Sequence, residues 1–159
     1  MRIILAVGAF LLSFAVGMSA SWKLKKRREI LEQLSLMLGE FSIEMRYIRP
    51  TLGQLIQSVG GEFGRFLHRI DDEPPVIWES ACDMLSATGW CNNEEIILLR
   101  SLGASLGTTN TDGQLSVIAL HNEKLQLLLE TARQEEQKKS RMLRMVGTLC
   151  GVGAAVMLI

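Results

Sequence analysis

The sequence predicts an all-α protein: a membrane-anchored antiparallel helical bundle of about six cytoplasmic helices, with transmembrane helices at its N-terminal and C-terminal ends. Three observations carry that expectation. Apolar residues recur at steps of three and four through the middle of the chain, with no useful stretch of strand-like alternation. Residues Ile3 to Trp22 form a run of 20 without a charged side chain, and Met145 to Ile159 form another of 15. Each run is bordered on its inner side by basic residues: Lys23, Lys25, Lys26, Arg27 and Arg28 at one end, Lys138, Lys139, Arg141 and Arg144 at the other.

A helix of the first run is about 30 Å long, the thickness of a bilayer's hydrocarbon core. A cleaved signal peptide carries its positive charge before the apolar region, but here only Arg2 precedes it and the dense cluster follows. By the positive-inside rule the chain from Lys23 onward faces the cytoplasm. The division is therefore 1–22 as a transmembrane helix, 23–144 as a cytoplasmic bundle and 145–159 as a second transmembrane helix. That last segment spans only about 22 Å; snorkelling by Arg141 and Arg144 narrows the mismatch, and the other reading of it is a buried apolar tail or half-inserted anchor. From Glu29 to Gln137 seven basic residues face all 17 acidic ones, a net of −10. An acidic body argues against a nucleic-acid partner, whose phosphates need a basic face. Cys82, Cys91 and Cys150 form no disulfide pattern and read as reduced thiols.

Within the body, Ile30, Leu34, Met37, Leu38, Phe41, Met45 and Ile48 lie on one stripe of a helix that ends at Arg49, restricted by Pro50. Thr51 caps a short helix over Leu52 to Val59, stopped by Gly60 and Gly61. A second short helix runs from Glu62 to Ile70. Pro75 suits the first turn of a helix reaching about Ala87, with Gly89 as terminator. Asn92 or Asn93 caps the next, whose Ile96, Leu99, Leu102 and Leu106 face the core. Thr111 to Gln114 has the form of a capping box opening the last, long helix. Its Leu115, Ile118, Asn122, Leu125, Leu129 and Ala132 make a coiled-coil-like seam, broken by one asparagine of the kind that sets register. Residues 133–139 are wholly polar and read as a solvated stalk.

The stretch SLGASLGTTNTDGQ, Ser101 to Gln114, holds two Leu-Gly pairs four residues apart. A helical glycine costs about 1 kcal/mol against alanine, so two on one face need a reason. A phosphate loop needs Gly-Lys-Ser/Thr opening a helix, whereas these glycines close one with no lysine nearby. Gly103 and Gly107 instead leave a notch for close approach of another backbone, and Gly107 doubles as a helix stop. His68 and His121 stand apart, Cys82 and Cys91 lack a zinc spacing, and no nucleophile sits with a base. The expectation is a protein with no catalytic residue, cofactor or metal. Glu44, Arg46, Tyr47 and Arg49 crowd charge and an aromatic ring onto the end of one helix. They read either as an intrahelical ion pair with a partly buried tyrosine or as a partner-binding face.

On two of these segments the chain resembles the stage III sporulation protein AB family of endospore-forming bacteria. In GEFSIEMRYIRPTLGQLI, Glu44, Tyr47 and Leu52 hold the family's places, with Pro50 and Thr51 in swapped order. In the double Leu-Gly motif Leu102, Gly103, Leu106, Gly107 and Gln114 match, and the family's aspartate falls on Asn110, which can cap a helix equally well. The likeness extends over nearly the whole chain. It implies an integral protein of the mother-cell membrane around the forespore, part of a transenvelope channel needed late in sporulation. It further implies a helical bundle similar to that of the platform proteins of type II secretion and type IV pilus machines. Expected partners are a secretion-type ATPase, other channel membrane proteins and the lipid bilayer, in a non-enzymatic adaptor role. The alternative is a passive scaffold that self-associates through the seam from Leu115 to Ala132.

Overall fold

Two helices, each about 70 Å long by its residue count, set the frame of the computed structural model. It describes the backbone elements of residues 2–108 and 110–158, and the side chains of 21–108, 110–139, 141, 142, 145 and 146. α1 (Arg2–Tyr47) and α6 (Thr111–Leu158) contain 46 and 48 residues. They run antiparallel, because cross-links move up one as they move down the other: Arg27 meets Glu135, Glu32 meets Arg133, and Ser35 meets Asn122. Four shorter helices, α2 (Leu52–Ser58), α3 (Gly61–Leu67), α4 (Pro74–Thr88) and α5 (Asn93–Ser105), pack on one side of this pair as a second layer. No strand occurs among the described residues.

Local chemistry accounts for the breaks between helices. Thr51 and Gln54 form a reciprocal capping box at the start of α2, and Asn92 with Glu95 does the same for α5. Pro74 and Pro75 occupy the first turn of α4, where a missing N–H costs nothing. Gly89 ends α4 in the left-handed conformation with φ +63°, which glycine adopts without penalty. α6 opens one residue earlier than its Thr-x-x-Gln pattern implies. Asn110 is the capping residue, its Oδ1 accepting from the Gly113 N–H at 3.0 Å.

The core lies between the layers. Ile30, Leu34, Leu38 and Phe41 of α1 are no more than 2% exposed, and Ile118 and Leu125 of α6 no more than 1%. Such side chains contribute about 1.5–3 kcal/mol each on burial. The seam of α6 is therefore filled from within one chain. Its asparagine accepts a hydrogen bond from the Ser35 hydroxyl of α1 at 3.2 Å. Ile48, expected on the α1 stripe, lies beyond the helix end and is 73% exposed.

Two further expectations change. The membrane helices are not separate elements: α1 passes residue 22 and α6 passes residue 145 without a break, making six helices in all. Backbone hydrogen bonding is cooperative, so nothing ends a helix where only side-chain polarity changes. The side chains of 1–20 and 147–159, which carry most of the two sequence-predicted membrane spans, lie outside the described residues. Among those described, no helix is long and apolar enough to cross a membrane. The polar stretch 133–139 is also not simply solvated: Arg133, Glu135 and Glu136 each pair with α1.

Candidate functional site

Because α1 ends where α6 begins, one end of the bundle is remote from both chain termini. The residues singled out on α1 lie at the close of that helix, and those of the double Leu-Gly motif lie at the close of α5 and in the loop before α6. Glu44 holds α2 in place, accepting from the Ser58 hydroxyl at 3.3 Å, and its backbone carbonyl takes the N–H groups of Ile48 and Arg49 at 2.8 and 3.1 Å. Arg49 itself has φ +52°. A non-glycine residue there costs about 1–3 kcal/mol and recurs at functional sites. The turn projects Tyr47 and Ile48, which are 79% and 73% exposed. Arg46 and Arg49 are exposed too, and neither meets a carboxylate among the described residues. Of the two readings of this group, the intrahelical ion pair with a partly buried tyrosine does not form.

Sequence reasoning missed the extension of this surface. Leu36 and Ile43 stand on the outer side of α1 with Tyr47, at steps of seven and four, and are 69% and 61% exposed. Leu120 and Leu127 stand likewise on the outer side of α6. The signal was an apolar repeat off the core stripe.

The double Leu-Gly motif is a packing device. A Cβ on Gly103 would lie inside the indole of Trp78, which is buried and donates its Nε1–H to the Leu99 carbonyl at 2.8 Å. The close neighbour is thus a ring on α4 rather than a second backbone. Gly107 has φ +83° and nothing near its Cβ position, so its requirement is conformational. It turns the chain toward Asn110, whose carbonyl accepts the Gln114 N–H at 2.9 Å.

The opposite end, where the long helices leave the bundle, carries an ion network. Arg27 is 5% exposed, with Nε 2.7 Å from one oxygen of the fully buried Glu95 and Nη1 bonded to Glu135. The other Glu95 oxygen accepts the Asn92 N–H at 2.7 Å, so one carboxylate both caps α5 and neutralises α1. Burial acts to lower the Arg27 pKa, but Glu95 and then Glu135 outweigh it and raise it. Arg28 pairs with Glu136 at 2.6 Å, and Lys26 with Glu62 at 2.9 Å. The hydrogen bond from Lys26 holds the Glu62 carboxyl below its ordinary range.

Nothing in this arrangement activates a nucleophile. Burial pushes the Cys82 and Cys91 thiols up to about 12, which keeps them protonated at neutral pH. His121 is buried and bridges α5 to α6, with Nδ1 2.8 Å from the Val117 carbonyl and Nε2 3.0 Å from Ser101 Oγ. No group of three metal-ligating side chains occurs among the described residues.

The family model described as stage III sporulation protein AB matches residues 2–159. No curated protein and no solved structure matches the chain.

Proposed function

The chain belongs to the stage III sporulation protein AB family, and from that premise we propose that it is a membrane platform of a sporulation transenvelope channel. It sits in the mother-cell membrane around the forespore, holds its bundle in the cytoplasm and works without catalysis of its own. The distal end docks a secretion-type ATPase, while the membrane segments meet other channel proteins. One observation carries this reading: Arg46, Tyr47, Ile48 and Arg49 are exposed together where α1 ends, with Arg49 held at φ +52°. Arginine and tyrosine are enriched among residues that dominate binding energy. The alternative is a passive scaffold that self-associates through its long C-terminal helix; we favour the platform because Ile118, Leu125, Leu129 and Ala132 of the seam are already buried within one chain.

The test is binding of the full chain in lipid nanodiscs to the same organism's sporulation ATPase, measured by calorimetry. Replacing Tyr47 by alanine is expected to weaken binding about 30-fold, the size of a hot-spot loss. Undiminished binding by a Tyr47→Ala/Arg49→Ala variant would remove the distal end as the docking site.

A further inference from the structure

The two basic clusters differ in what their charges do. On α1, Lys26, Arg27 and Arg28 are taken up by Glu62, Glu95, Glu135 and Glu136. On α6, Lys138, Lys139 and Arg141 have no carboxylate partner among the described residues, and Lys23 on α1 has none either. All four are exposed. The Arg27–Glu135 register, continued one helical turn, sets Lys23 level with Lys139. Trp22, 60% exposed, stands one residue farther along α1. Beyond Glu136 on α6, and before Glu29 on α1, the chain contains no acidic residue at all.

An open depression of about 400 Å³ lies along α6 at this level, lined among the described residues by Gln134, Gln137, Lys138, Arg141, Met142 and Met145, with Lys139 and Lys23 outside that lining. Cations and amide groups lie at its upper part and two methionines at its lower part, next to the uncharged end of α6. That order matches the order of groups in a phospholipid: an anionic phosphodiester first, acyl carbons next. Lysine near an anionic membrane surface strengthens association about fivefold per charge, while an aromatic ring such as Trp22 suits the interface itself.

We infer that Lys138, Lys139 and Arg141 on α6, with Lys23 on α1, form a binding site for the phosphodiester headgroup of an anionic phospholipid. The site rests on the membrane-platform reading above. It divides the work: Lys26, Arg27 and Arg28 close the bundle, whereas Lys23 and the α6 cluster select lipid. A lipid is favoured over an acidic protein because Met142 and Met145 stand beside the cations, next in sequence to the uncharged end of the chain.

The experiment uses the full chain in nanodiscs holding equal amounts of phosphatidylglycerol and phosphatidylcholine, with lipids retained on the released protein counted by mass spectrometry. The wild type is expected to retain phosphatidylglycerol several-fold over phosphatidylcholine. A Lys138→Gln/Lys139→Gln/Arg141→Gln variant is expected to bring that ratio to about one, whereas Lys25→Gln leaves it unchanged. An unchanged ratio in the triple variant overturns the site. Loss of the retained lipid on adding inorganic phosphate also overturns it, by showing a site for free anions. Flotation with phosphatidylcholine vesicles after alkaline extraction checks the anchoring separately. A chain that floats without lipid preference refutes this inference alone, while one that fails to float refutes the membrane reading beneath it.

Discussion

Gly103 shows how a single missing carbon sets the spacing of two helices. The Trp78 indole fills the volume that a Cβ would take, and it cannot retreat, because its N–H is bonded to Leu99 and its ring meets Phe63 edge-on at 5.2 Å between centroids. Gly103→Ala is expected to destabilise the chain by about 1–3 kcal/mol, the range for overpacking, read as a lower urea midpoint at unchanged slope. Arg27 offers a second contrast. Glu95→Ala leaves a buried guanidinium half-paired and uncaps α5, at a cost of about 3–5 kcal/mol. Glu135, whose side chain is 49% exposed, is worth about 1 kcal/mol or less. Equal losses for the two variants would mean that burial does not govern this network.

Among the helices, α6 departs furthest from what its pattern implies. Its heptad-like spacing is that of a coiled coil, but the partner is α1 of the same chain. Asn122 bonds to Ser35, and the Ser35 hydroxyl in turn accepts from Gln126 Nε2. Asn122→Leu should therefore leave the mass in solution unchanged, measured by light scattering in a fixed detergent. A shift to a higher oligomer would show that the seam serves a second copy after all. The Lys26–Glu62 pair ties α3 to α1 in the same internal way. Since Glu62 titrates lower in the folded state than its ordinary 4.5, it adds stability above that value and loses it as pH falls through the folded value. Glu62→Gln is accordingly expected to flatten the acid side of the stability curve below about pH 4.5, with little change in its slope at neutral pH.

Taken whole, the described residues form a hairpin frame of α1 and α6 with an exposed turn where α1 ends. Substitutions at that turn should separate binding from folding. Tyr47→Ala removes a ring that is 79% exposed, so its unfolding free energy should stay within about 0.5 kcal/mol of wild type while its docking weakens. A large loss of stability would mean that the ring packs against something other than a partner.

Helix content, most of the caps and most of the core stripe were legible from local pattern alone, because each depends on residues within a few positions of one another. Thr51, Gly89, Asn92 and the set Ile96, Leu99, Leu102 and Leu106 all fell where their chemistry put them. The family could be recognised in the same way, from two short motifs. Partners distant in sequence were not legible. Nothing near residue 103 announces Trp78, nothing near Glu95 announces Arg27, and a heptad seam reads alike whether its partner is the same chain or another. Those outcomes depend on which surfaces the hairpin brings within a few ångströms. The basic cluster after the first apolar run, read locally as a membrane signal, is in space largely a clasp of the bundle, because the nearest carboxylates arrive from α3, α5 and α6.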